Sequence, residues 1–143
     1  MDNKRYQIFI SSTFEDLKEE RRIVTEQIWK LGHIPVGMEL FHAGNEDQWS
    51  FIKERIAECD YYIVIIAERY GSQAADGISY TEKEYRLATE LGVPVAAFLL
   101  SDKARKTWPA CHVEHDQIEK INAFRALCEN KLVKYWEDKK GLA

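Results

Sequence analysis

The sequence predicts an α/β domain built on a parallel sheet with helical crossovers. Three observations point there. Short apolar runs alternate with longer segments of helical periodicity along the chain, the order that βαβ units leave in a sequence. The run "YYIVIIA", Tyr61 to Ala67, is apolar almost without interruption, which suits a central strand covered by helices on both faces. A length of 143 residues, with 45% apolar and 31% charged, suits one domain, 1–143, around one core, without the low hydrophobicity that keeps chains disordered.

"YQIFI" (Tyr6 to Ile10) is the first predicted strand. "STFEDLKEERRIVTEQIWKLG" then places Leu17, Val24, Ile28 and Leu31 at three- and four-residue spacing, an amphipathic helix. Ser12 with Glu15, or Thr13 with Asp16, offers a capping box at its start, and Gly32 a stop. "IPVGM" is a second strand, followed by a polar loop and a helix with Trp49, Ile52 and Ile56 on one face. After the central strand, the loop "ERYGSQAADGIS" leads to a helix that ends at Gly92 and Pro94, and "VPVAAFLL" is the fourth strand. A polar stretch from Ser101 to His115 precedes a helix with Ile118, Ile121 and Leu127 or Cys128 inward, and "KLVKYW" is the fifth strand.

Five strands joined by right-handed crossovers predict a flavodoxin-like three-layer sandwich with strand order 2-1-3-4-5. The chain stops at Ala143, just after the fifth strand, so the final covering helix is expected to be missing or only begun. The chain is accordingly expected to be the front of a longer protein.

Charge and composition narrow the function classes. The formal net charge is -4, so there is no whole-chain basic field to hold a phosphate backbone, and nucleic acid is not an expected partner. No apolar run approaches a membrane span. The charged start, Met1 to Arg5, runs directly into the first strand without a signal-peptide pattern. The three cysteines, Cys59, Cys111 and Cys128, lack framework spacing, as expected of reduced thiols in a cytoplasmic protein.

In an open parallel sheet, ligands bind beyond the carboxyl ends of the strands, where the strand order reverses. Three segments are expected to converge there. Ser11, Ser12, Thr13 and Phe14 follow the first strand at the mouth of a helix, where amides and hydroxyls suit an anion or simply cap the helix. Glu39 follows the second strand and suits a ribose hydroxyl or bulk water. Arg69, Tyr70 and Gly71 follow the third, with Tyr80, Thr81 and Glu84 opening the next helix. Tyr70 and Tyr80 suit the faces of a ring, or the rim of the core.

Glu84 has two readings. Thr81 and Glu84 have the spacing of a capping box, in which the carboxylate returns to the Thr81 amide. The same carboxylate, near a positive helix end at the ligand edge, suits a nucleophile or the stabiliser of an oxocarbenium-like centre as a glycosidic bond breaks. Cys111, His112 and His115 lack a fourth ligand at matching spacing, so no metal is expected. Asp60 suits binding of nearby backbone amides. There is no Walker loop, dinucleotide fingerprint or serine nucleophile elbow, and no cofactor is expected.

At "IFISSTFEDLKEERRIV", "GHIPVGMELF", "CDYYIVIIAERYGS" and "GISYTEKEYRLATELGVPV", the sequence closely resembles the family called domain of unknown function 4062. That resemblance covers nearly the whole chain. It implies kinship with Toll/interleukin-1 receptor (TIR) domains and nucleoside 2-deoxyribosyltransferases, and an N-terminal position in multidomain signalling or antiviral defence proteins. In the transferases a nucleophilic glutamate heads a helix and is followed by a small residue, a glycine and a proline; Glu84, Ala88, Gly92 and Pro94 are similar in spacing. In TIR enzymes that cleave NAD, a glutamate occupies a similar place. Asp76 and Gly77 only loosely resemble the upstream acid and glycine, and the first loop differs, so substrate identity is not implied. The resulting expectation is a TIR-like effector or sensor that binds a nucleotide such as NAD and cleaves its N-glycosidic bond through Glu84. The rivals are a non-catalytic module that self-associates or docks on partner domains, and a nucleotide-binding sensor without turnover.

Overall fold

The computed structural model describes residues 4–13, 16–37 and 46–142. Five strands form one all-parallel sheet in the order β2-β1-β3-β4-β5, as the alternation of patterns predicts. The strands are β1 (Gln7–Ser12), β2 (Ile34–Gly37), β3 (Tyr61–Ile66), β4 (Val95–Leu100) and β5 (Leu132–Trp136), and the helices are α1 (Lys18–Lys30), α2 (Glu46–Glu58), α3 (Tyr80–Glu90), α4 (Asp102–Lys106) and α5 (Ile118–Cys128). β3 is central, with Ser11 and Ser12 of β1 beside Val64 and Ile65 on one side and Val95 to Leu99 of β4 along the other.

Alternation along the strands divides the core between two faces. Phe9, Val36, Tyr62, Val64, Ile66, Ala97 and Leu99 meet Ile52 and Ile56 of α2, Tyr85 and Ala88 of α3, and Ile121, Phe124 and Cys128 of α5. An aromatic series runs through this face. Phe9 stacks on Tyr62 at 5.7 Å, Tyr62 meets Tyr85 edge-on at 6.1 Å, and Tyr85 meets Phe124 edge-on at 5.7 Å. Ile10, Ile65, Leu100 and Trp136 face the other way, onto Leu17, Val24 and Ile28 of α1 and Leu142 of a closing 3-10 turn, Lys139–Leu142.

Several boundaries differ from the sequence expectation. α1 begins at Lys18 with Leu17 at its N-cap and no side-chain cap. Neither capping box predicted at Ser12 or Thr13 can therefore open this helix, because β1 carries the extended backbone through Ser12. Leu31, expected inward, is 72% exposed. It forms the C-cap of a Schellman turn in which the Gly32 amide bonds the Trp29 carbonyl and the His33 amide bonds that of Ile28, with Gly32 at φ +84°. Ile118 also faces outward, and Phe124 fills the core in its place. The polar stretch after β4 contains α4, whose N-cap Ser101 accepts from the Ala104 amide; it has no apolar periodicity by which to be recognised.

Candidate functional site

Two adjacent serines end β1, and the strand's alternation sends them to opposite faces. Ser11 is fully buried and points to the α3 side, where its hydroxyl donates to Glu84 Oε1 at 2.7 Å. Ser12, also buried, points to the α1 side, accepts from the Arg21 guanidinium at 2.9 Å and donates to the Thr13 carbonyl. One strand end thus carries a hydroxyl to a buried acid on one face and another to a buried base on the other.

Glu84 does not cap α3. The N-cap is Ser79, whose side chain accepts from the Glu82 amide at 3.1 Å. The helix therefore starts two residues before the expected Thr81 box, leaving Glu84 in the second turn. Its side chain is 0% exposed, and Oε2 has no hydrogen-bond partner. Burial pushes the carboxyl up to about 7, against the smaller opposing effects of the Ser11 hydrogen bond and the Arg21 charge. A buried carboxyl with one oxygen held and the other unsatisfied is costly to the fold and calls for an explanation beyond packing.

The remaining predicted residues fall into separate surroundings. Thr13 donates to Asp16 and lies against Gly71. Gly71 has φ +91°, and a Cβ there would come within 2.8 Å of the Thr13 methyl, so this glycine lets the loops after β1 and β3 touch. Tyr70 is buried, and its hydroxyl donates to Glu82 Oε1 at 2.8 Å; its ring belongs to the core. The Tyr70 and Gly71 amides both donate to Glu114 Oε1, at 2.8 and 3.0 Å. Arg69 is half-buried, with its charge near Asp16. Thr81 is buried, and its carbonyl accepts from the Tyr62 hydroxyl at 3.5 Å. Phe14 and Glu39 lie outside the described residues.

Tyr80 is the predicted aromatic that borders open space. With Trp49 of α2 it lines a cleft of about 350 Å³ that also takes in Asp76 and Lys83. The sequence places Trp49 on one face of α2 with Ile52 and Ile56, and it does pack in part against their core, but that spacing does not foretell its role in lining a cleft. The signal that would have found it is its place in the first turn of that helix, at the carboxyl edge of the sheet. Asp60 accepts from the Gln7 amide at 2.8 Å, as its position suggested. Among the described residues, no group of three or more His, Cys, Asp or Glu side chains is placed to hold a metal ion, and no helix is long and apolar enough to cross a membrane.

The model of the family described as "Domain of unknown function (DUF4062)" matches residues 7–143, and the chain belongs to that family. No curated protein matches the chain. Among solved structures, it is similar to a Clostridium botulinum CMP N-glycosidase, BcmB, with 14% identity over 94% of this chain and 92% of that one and a TM-score of 0.54. The two share the same kind of α/β fold.

Proposed function

We propose that this member of the domain of unknown function 4062 family is a nucleotide N-glycosidase in which Glu84 acts at the anomeric carbon. The observation that carries this reading is the unpartnered Oε2 of a fully buried carboxyl at the ligand edge of a doubly wound sheet. The likeness in fold to a CMP N-glycosidase supports it, although fold alone does not decide function.

In the proposed reaction, Ser11 holds Oε1 and Oε2 is the attacking atom. The bond between the anomeric carbon and the base nitrogen breaks, its electron pair leaves with the base, and the base takes a proton from water. The Oε2 pair forms a glycosyl ester, or remains an ion-paired stabiliser of the oxocarbenium-like centre. Water then adds to the anomeric carbon, its proton passing to the hydroxide left by protonation of the base, and this releases the sugar phosphate and restores the carboxylate. Because Glu84 is 0% exposed, reaching the substrate requires the side chain or its cover to move.

The deciding experiment incubates wild type and Glu84→Gln with CMP, NAD and a panel of other nucleotides and nucleosides, following base release by chromatography. Release by wild type and its loss in the amide variant is the expected result. Undiminished release by Glu84→Gln would remove Glu84 from the mechanism.

A row of exposed apolar residues favours the second reading, a module that associates with itself or with partner domains. Leu31 at 72%, Ile34 at 37%, Tyr61 at 42%, Leu91 at 49% and Leu132 at 70% exposure follow helix ends or begin strands, so they share the edge opposite Glu84. Concentration-dependent sedimentation lost in Leu31→Lys together with Leu132→Lys, with no base release from any substrate, would establish that reading instead.

A further inference from the structure

We infer that the cleft between Trp49 and Tyr80 is the subsite for the base of a nucleotide, with the lysines at its rim facing the phosphate. This deepens the glycosidase reading and rests on it for the position of the sugar. The cleft, of about 350 Å³, is within the range of small-ligand sites. Its walls come from two helices: Trp49 on α2 and Tyr80 on α3, with ring centroids 6.3 Å apart and planes at 58°. That tilt offers a base the Trp49 face to stack on and the Tyr80 ring as a side wall.

Two flexible cations lie over the Trp49 ring. Lys53 Nζ lies 5.8 Å and Lys83 Nζ 6.0 Å from its centroid. A base sliding onto the indole exchanges these cation–π contacts for stacking and leaves both ammonium groups beside a phosphate. Asp76 accepts from the Ile78 amide through Oδ1 and pairs with Lys83 through Oδ2, each at 3.0 Å. Its remaining lone pairs can accept from an N–H on the base edge.

Tyr80 and Glu84 are four residues apart on α3 and therefore neighbours on one helix face. Glu84 is buried and does not itself line the cleft, so the sugar of a base held at Tyr80 meets the carboxyl, one turn along the helix, once the movement that uncovers Glu84 has occurred. The lysines make a nucleotide the fitting ligand rather than a nucleoside. Tyr70, its ring in the core, takes no part in this subsite.

The test titrates CMP into wild type and into Glu84→Gln, where binding is read without turnover, and then into Trp49→Leu, Trp49→Phe and Asp76→Ala. Ribose 5-phosphate, which lacks the base, is the control ligand. Trp49→Leu is expected to weaken CMP binding about tenfold or more, the usual consequence of losing one base–aromatic stack. Trp49→Phe should retain most of the affinity, Asp76→Ala should weaken it, and ribose 5-phosphate should bind all variants alike. Equal CMP affinity in wild type and Trp49→Leu, or no preference of wild type for CMP over ribose 5-phosphate, overturns the subsite. If Trp49→Leu does not fold, Tyr80→Leu carries the same comparison. Trp49-dependent binding without base release would leave the subsite standing and remove the glycosidase reading; Glu84-dependent release indifferent to Trp49 would do the reverse.

Discussion

At the scale of one residue, Glu84 couples stability to pH in a direction fixed by its burial. Its carboxyl is raised from 4.5 to about 7, so the folded state holds a proton that the unfolded chain has already released. The stabilisation that goes with the protonated form is fully present below pH 4.5 and is lost as pH rises through about 7, to the extent of roughly 3 kcal/mol. Glu84→Gln cannot titrate. The difference in unfolding free energy between wild type and variant, from urea melts at pH 5 and pH 8, should therefore shift in favour of the variant at the higher pH. A pH-independent difference would mean that the carboxyl is not buried in solution as it is here. Under the proposed glycosidase reading turnover runs the other way: attack by Glu84 would require the ionised acid, so kcat/KM for base release should rise through about pH 7. Burial and the orphaned oxygen are tertiary facts. The sequence singles out Glu84 by its spacing, but only the fold brings Ser11, seventy-three positions away, against it.

At the scale of elements, the sequence is most legible where periodicity is strong and least where two cap patterns overlap. All five strands and three of the long helices, α1, α2 and α5, follow from apolar patterning, α3 follows from its capping and its stop at Gly92 and Pro94, and the Schellman turns at Gly32 and Gly92 follow from glycine placement. The start of α3 was obscured because Ser79 with Glu82 and Thr81 with Glu84 have the same spacing. Packing decides between them. Starting at Ser79 turns Tyr85 and Ala88 into the core with Glu84 beside Ser11, and frees Glu82 to accept from Tyr70 and Arg86. Ser79→Ala is accordingly expected to cost about 1 kcal/mol, the usual loss for a serine N-cap, in chemical denaturation. A cost near zero would mean that the cap bond contributes nothing to this helix start. The end of β1 was missed for a related reason: serines read as a loop, yet Ser11 and Ser12 continue the ladder with Val64 and Ile65.

At the scale of the whole molecule, the two faces of the sheet are unequally covered. α2, α3 and α5 pack on the face that holds Glu84, whereas α1 and the Lys139–Leu142 turn pack on the other. The strand order was legible because right-handed crossovers leave few alternatives, but the part played by Leu142 was not, since a single leucine after β5 has no periodic partner. It is 8% exposed and shares its cluster with Trp136, whose indole N–H donates to the Phe98 carbonyl at 3.1 Å and whose ring meets Trp108 edge-on at 5.6 Å. Leu142→Ala should therefore lower stability by about 2 kcal/mol, the lower end for truncating a buried leucine, and red-shift the tryptophan emission as water reaches the Trp136 pair. Base release measured well below the melting temperature should stay unchanged, because Leu142 and Glu84 lie on opposite faces of the sheet. Unaltered stability and emission in Leu142→Ala would mean that the closing turn does not pack on α1 in solution. Stability lost together with turnover would instead mean that the two faces are coupled through β1, the strand whose last two serines reach both.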